Sequence, residues 1–289
     1  MWTNHFEDDE KGYQVLLSVY NAEKYLERCF ESLERSLKGK KWILLYGDDG
    51  CTDESIDKLA IYAYYKSSAD KVHLFEYDKA PTVAHAKNRL IKEAHKYKDE
   101  YPAVLMMDAD DEMLPERANM LHTAISKKSS FVVGAYERIT EGGSKIRPAN
   151  STAPALAFGP WATLIDCNIL PKDGLFFPES EVCDTAYEDI LAWYHLKYIE
   201  ELNITQHTSP NPVHRWHRNP DSASNPSDKE EMNRKRNTFW GITELIKDKK
   251  INILENPPTA EEADDARHVY EERKGKAASA ECPLDNAPE

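Results

Sequence analysis

No stretch of this 289-residue chain is apolar over the length needed to cross a bilayer, so no membrane span is expected. The opening residues MWTNHFEDDEKGYQ lack an apolar core behind a basic start, and no signal peptide is expected there. Cysteine is sparse: Cys29, Cys51, Cys167, Cys183 and Cys282 form no close pairs. That scatter argues against a disulfide framework or a zinc site and suits reduced, buried thiols in a cytoplasmic setting. Neither GxxxxGKS/T nor GxGxxG occurs, so no glycine-rich loop is available to cradle phosphate. Positive charge is in deficit, with 37 Lys and Arg against 51 Asp and Glu and a net charge of -14. Such a field argues against a protein that coats nucleic acid or anionic lipid, although a local basic groove is compatible with it. There is no internal repeat.

What the chain does have is alternation. QVLLSV (14–19), WILLY (42–46), VHLFEY (72–77), AVLMM (103–107) and FVVGAY (131–136) read as short strands. Between them lie helical stripes. The first carries Leu26, Cys29, Phe30, Leu33 and Leu37, with Asn21 as its expected cap. The second carries Ile56, Leu59, Ala60 and Ala63; the third, 83–97, turns Ala86, Leu90, Ile91 and Ala94 inward. A fourth helix, PERANMLHTAI (115–125), begins with Pro in its first turn. Alternating strands and helices predict an α/β fold with a mostly parallel sheet flanked by helices. The later chain is less regular. Residues 141–160 read as turns and a mobile loop, WATLIDCNIL as apolar and mixed, and 187–202 as a helix with acids in its first turn. KEEMNRKRNTFWGITELIKDKK reads as one further helix or two. The expected organisation is an α/β half at 1–140, a second half of the same domain at 141–255 and a mobile or disordered tail at 256–289.

The segment MMDADDEML (106–114) carries three acids directly after an apolar strand. Clustered carboxylates repel one another, so the stretch is either a solvated turn or the holder of a cation. In a parallel sheet, ligands bind at the carboxyl ends of the strands, and SVYN, YGDDG and MDADD all fall at that edge. Asp108 and Asp110 can reach one divalent ion there. Hard carboxylate oxygens suit Mg²⁺ or Mn²⁺, which also take phosphate oxygens.

The chain resembles the family 2 glycosyltransferases, which have the GT-A (Rossmann-like) fold. The matching segments are LLSVYNAEKYLERCFESL, LLYGDDGCTDES, AHAKNRLI, MMDADDEMLPE, GPWATLIDCNIL with GLFFPES, and YEDILAWYHL. They occur in the family's order over roughly the first two thirds of the chain. The resemblance implies inverting transfer of a sugar from a nucleotide-diphospho sugar, with a UDP-sugar the expected donor, aided by Mn²⁺ or Mg²⁺.

It also implies roles. Ser18 and Tyr20 would line the nucleotide pocket, Asp49 would hydrogen-bond the base and Asp48 would support that turn. Lys87 and Asn88 would contact the nucleotide, although the family has Arg in place of Lys87 and a Gly before this segment that is absent here. Lysine keeps the charge and loses the bidentate fork. Asp108 and Asp110 match the metal-holding DXD pair, with Asp111 shaping the turn. Asp189, with Glu188 as fallback, would take the acceptor's proton. In HRWHRNPDSAS, His217 or His214 would complete the metal shell, and Arg215 or Arg218 would pair with phosphate. Trp161 either stacks on a sugar or belongs to the core.

Nucleotidyltransferases share the sheet and acidic pair but carry a basic glycine-rich loop, which LLSVYNAEKYLERCF lacks. A non-catalytic binder is disfavoured by the intact YED and acidic triplet. The expected acceptor is a glycan, lipid-linked glycan or protein. The absence of a QxxRW pattern and of a membrane helix argues against a processive synthase. The basic islands HRWHRN and NRKRN keep open a phosphate-bearing acceptor, including a hydroxymethylated base in DNA, as a lesser branch. The expected location is the cytoplasm or the cytoplasmic side of a membrane.

Overall fold

A computed structural model describes residues 11–149, 162–180, 188–218, 229–248 and 250–276. They divide into two compact units. The first takes the chain through residue 149 together with 162–176 and 203–218, and the second takes the other described residues. The division expected at residue 140 is therefore crossed, because later segments return to the sheets of the first unit.

The first unit is built on a seven-stranded sheet. Its central strands β1 (Tyr13–Val19), β2 (Trp42–Asp48), β3 (Lys71–Glu76) and β4 (Ala103–Asp108) are all parallel, in the order β4-β1-β2-β3. β1 and β2 are almost wholly buried along their length, as expected for strands covered on both faces. At the outer end, β3 alternates between exposed and half-buried residues. Helices α1 (Glu23–Ser36), α2 (Ser55–Tyr65), α3 (Val83–Ala94) and α4 (Glu116–Lys127) fall between the strands. α1 buries Leu26, Cys29, Phe30 and Leu33, the stripe legible in its sequence. Its cap differs from expectation: Ala22 holds that position. Asn21 adopts φ 47°, a left-handed conformation that Asn tolerates, and its side chain accepts from the Thr52 N–H at 2.8 Å. Thr82 caps α3 by accepting from the His85 N–H.

Beyond β4 the sheet becomes mixed. β9 (Thr163–Asp166), from the apolar segment left unassigned by pattern, runs antiparallel between β4 and β6 (Phe131–Val133), and β10 (Thr205–Gln206) adds to β6 in parallel. A second, four-stranded sheet has the order β5-β11-β7-β8: β5 (Glu112–Met113), β11 (His214–His217), β7 (Tyr136–Thr140) and β8 (Gly143–Arg147). The stretch expected to be turns and loop from 141 thus begins as the return strand of a hairpin.

One buried cation joins α4 to the sheet. Arg117 is fully buried, and its Nη2 donates to Met106 O at 2.8 Å and to Thr163 O at 2.9 Å. Burial pulls its guanidinium down to about 9, against the opposing charges of Asp108 and Asp111. It therefore clasps β4 and β9 just below the acidic turn.

The second unit contains α5 (Glu188–Tyr198), α6 (Lys229–Lys247) and α7 (Ala260–Lys276). Tyr194 of α5 meets Phe239 of α6 edge to face, at 6.5 Å between ring centroids. The tail expected to be mobile from residue 256 differs over 260–276, which form α7. Trp240 stacks with Tyr270 and Asn237 donates to Glu271, while at Gly241 a Cβ would lie 2.5 Å from the backbone of Ala266. The missing side chain lets the helices approach closely, which composition could not reveal. Residues 277–289 lie outside the described residues. No helix among the described residues is long and apolar enough to cross a membrane.

Replacing Arg117 with Leu should strand the carbonyls of Met106 and Thr163 in the core. The expected cost in denaturant unfolding is about 3 kcal/mol. A loss below about 1 kcal/mol would show that these carbonyls find other donors.

Candidate active site

Strand register brings the motifs together. Ser18 on β1 pairs with Gly47 on β2 and with Asp108 on β4, and Val19 pairs with Asp48. Three segments far apart in sequence therefore end side by side at the carboxyl edge of the sheet. Ser18 is half-buried and Tyr20 is 49% exposed, so this edge is open.

The second acidic turn is tightly tied. Asp48 accepts from the Cys51 N–H at 2.9 Å across this turn. Asp49 is buried and both its carboxylate oxygens are engaged: Lys79 Nζ lies at 2.7 Å, the Ala80 N–H at 2.8 Å and Arg89 Nη1 at 3.5 Å. Lys79 also sits over the Tyr20 ring, 3.6 Å from its centroid. Arg89 donates to Asp78 O at 2.7 Å and lies over Tyr77. Sequence reasoning missed Lys79 and Arg89. Arg89 stands two residues past Lys87 in AHAKNRLI, and helical spacing could have flagged it; Lys79 lies in a loop with no periodicity to mark it.

Lys87 Nζ lies 3.9 Å from Asp108, the outer distance of an ion pair. Asn88, expected at the nucleotide, is buried and accepts from the Phe176 N–H at 3.2 Å. This bond ties the 174–176 segment to α3. The helix turns position 88 inward because it falls on the buried stripe with Ala84 and Ile91.

The acidic triplet separates into two kinds of residue. Asp108 and Asp110 are half-buried at the sheet edge, and Asp110 O accepts from Arg28. Asp111 is buried; its Oδ2 meets His214 Nε2 at 2.9 Å and its Oδ1 accepts from the His217 N–H at 2.8 Å. Burial pushes the Asp111 carboxyl well up, assisted by Asp108 and Asp110, and pushes the His214 imidazole well down, assisted by Arg117 and His217. Both shifts disfavour charge on this pair, and both Asp111 oxygens are turned to β11.

His214 is consumed in that pair. His217 Nε2 lies 2.8 Å from Glu112, and Arg215 pairs with Glu112 and Glu137. The shell-completing role expected of a histidine and the phosphate role open to Arg215 thus meet other partners. Arg218 is exposed at the end of β11. Among the described residues, no group of three His, Cys, Asp or Glu is disposed to hold a metal. Two edge carboxylates one residue apart nevertheless fit Mg²⁺ or Mn²⁺, ions held by one or two carboxylates with phosphate oxygens and water supplying the rest.

Glu188 and Asp189 open α5 in the second unit. Glu188 is buried and Asp189 half-buried, with its Oδ1 accepting from the Ile190 N–H. Tyr187, Trp161 and the loop after Arg218 lie outside the described residues.

Residues 14–176 match the sequence profile of Glycosyl transferase family 2, more than half of the chain. The chain belongs to glycosyltransferase family 2. This family 2 chain is 29% identical over 99 residues to a teichoic acid poly(glycerol phosphate) polymerase of Staphylococcus epidermidis. The match covers 34% of this chain and 13% of that protein, so the chain spans a small part of that relative's length. Among solved structures, TarS of S. aureus with UDP-GlcNAc shares 15% identity at a TM-score of 0.61, covering 93% of this chain and 74% of that one. The mannosyltransferase PcManGT of Pyrobaculum calidifontis with GDP-Man and Mn²⁺ shares 13% identity at 0.53, covering 94% of this chain and 77% of that one. These likenesses give the family 2 chain the GT-A fold, a mixed α/β architecture with a mostly parallel sheet.

Asn88→Ala should cost about 1 kcal/mol in denaturant unfolding by orphaning the Phe176 N–H. Unchanged stability together with weakened nucleotide binding would return Asn88 to the donor pocket.

Proposed function

We propose that the chain is an inverting glycosyltransferase that moves a sugar from a UDP-sugar to an acceptor hydroxyl, with Mg²⁺ or Mn²⁺ held by Asp108 and Asp110. The observation that carries this reading is the register that sets Ser18, Asp48 and Asp108 side by side at the carboxyl edge of the sheet. Ser18 and Tyr20 line the nucleotide end. Asp49, locked by Lys79 and Arg89, offers the base a fixed carboxylate edge rather than a free side chain. Lys87 supplies positive charge for the diphosphate from beside Asp108.

The metal, when bound, neutralises the charge that builds on the departing diphosphate. Asp189 takes the proton from the acceptor hydroxyl as its oxygen bonds to the anomeric carbon, while the bond from that carbon to the diphosphate oxygen breaks. Glu188 is the more buried of the two acids, which favours Asp189 as the base. The likeness to a UDP-GlcNAc-bound fold supports the UDP-sugar, and the Mn²⁺ in a GDP-Man-bound relative supports the metal. The likeness to a teichoic acid poly(glycerol phosphate) polymerase supports a hydroxyl on a polyol-phosphate chain as acceptor. Cys29, Cys51 and Cys167 are free thiols, which supports a reducing, cytoplasmic setting.

A thermal-shift panel of nucleotide-diphospho sugars with and without Mn²⁺ tests the donor. One UDP-sugar should raise the melting temperature in a metal-dependent way, and Asp110→Asn should abolish the metal dependence. No stabilisation by any donor would defeat the reading. Asp189→Asn should keep donor stabilisation and lower transfer by at least about 100-fold; transfer at the wild-type rate would remove Asp189 from the role of base.

A further inference from the structure

The four-stranded sheet sorts its charges by face. Side chains alternate along a strand, so Arg215 and His217 of β11 share one face while Trp216 and Arg218 share the other. The first face is neutralised: Arg215 pairs with Glu137 at 2.8 Å and Glu112 at 3.3 Å, and His217 with Glu112 at 2.8 Å. The second face is not. Arg138 on β7 stands in register with Trp216, its guanidinium carbon 5.1 Å from the ring centroid. On β8, Lys145 is in register with Arg138, and Arg147 with Tyr136, so both join this face. Arg218 extends β11, its N–H bonded to Ile139 O.

Arg138, Lys145, Arg147 and Arg218 therefore share one face, with Arg138 over the Trp216 ring. Among the described residues, none of the four has a carboxylate at ion-pair distance. Burial lowers the Arg138 guanidinium against an opposing contribution from Tyr136, Arg147 and Arg218 add smaller lowering contributions, and its Nε is buried without a hydrogen-bond partner. In a chain of net charge -14, clustered cations without carboxylate partners are a local exception. Like charges held together cost stability unless an anion meets them.

We propose that this face of the second sheet, around Arg138, Lys145, Arg147 and Arg218, binds a phosphodiester-linked polyol chain. Its role as acceptor rests on the glycosyl-transfer reading; the binding does not. Three of the four cations are arginines, whose planar forks engage phosphate oxygens in pairs. Spread over three strands, they suit successive charges along a chain better than one isolated anion. Nucleic acid fits less well, because single strands are held largely by rings offered to the bases, and the central ring here is covered by Arg138. The face also adjoins the donor edge: β11 pairs with β5, and the His217 N–H reaches Asp111.

Fluorescence anisotropy of a labelled glycerol-phosphate oligomer tests the proposal on the full chain. Wild type should bind with an affinity that falls as salt rises. Arg138→Gln with Arg147→Gln should weaken binding by about tenfold per arginine. The exposed Lys145→Gln, which disturbs no core, should weaken it by about threefold. UDP-sugar stabilisation should be unchanged in these variants, which also shows that they fold. In a transfer assay the double variant should raise the acceptor KM and leave the donor KM alone. Binding equal to wild type in all variants would overturn the proposal, as would a raised donor KM. Tighter binding of a charge-matched oligodeoxynucleotide or of polyglutamate would overturn it too. If no donor stabilises the protein yet the oligomer binds through these residues, the transfer reading fails and this one stands.

Discussion

A single buried carboxyl, Asp111, links the two sheets of the first unit. One oxygen meets His214 and the other accepts the backbone N–H of His217, so both ends of β11 are referred to one residue of the acidic turn. The turn in turn rests on Arg117, whose guanidinium ties the last residues of β4 to β9. Burial disfavours charge on the Asp111–His214 pair, which limits the repulsion it adds to the two half-buried aspartates beside it. Two like charges at a strand end are tolerable; a third, buried and ionised, would cost far more. The triplet thus keeps charge where a cation can meet it and suppresses charge where it serves as a joint.

The same economy governs the second acidic turn. Asp49 is buried, and its side chain is met by Lys79, Arg89 and a backbone N–H. A carboxylate so held cannot swing, and its hydrogen-bonding edge is fixed before any ligand arrives. The exposed Tyr20 shares Lys79 with it, so the ends of β1 and β2 are coupled through one ammonium group.

Much of the first unit was legible in the sequence for a physical reason. Strands buried on both faces leave continuous apolar runs, and helices packed on one side leave stripes, so β1, β2, α1 and α3 announced themselves. β9 did not, because four residues in a mixed segment have no period. Nor did α7, whose polar composition hides a contact made through Gly241, where the signal is a missing side chain. At the site, residue types were readable and their partners were not. Nothing in AHAKNRLI separates an inward Asn88 that pins a loop from an outward one that meets a nucleotide. Nothing in HRWHR says that His214 and His217 each face an acid a hundred residues earlier. Those pairings belong to long-range strand register, which one sequence does not encode locally.

The large sheet also has to stop somewhere. On one side it closes with the two-residue β10, too short to template another chain. On the other it ends at β3, where an entire row of backbone groups faces outward. This strand begins with an exposed Lys71 and ends with an exposed Glu76. An arriving parallel copy, in register, would set like charge on like at both ends. An antiparallel copy would instead set Lys71 against Glu76, so the charges at this edge discriminate between the two directions in which a second strand could add.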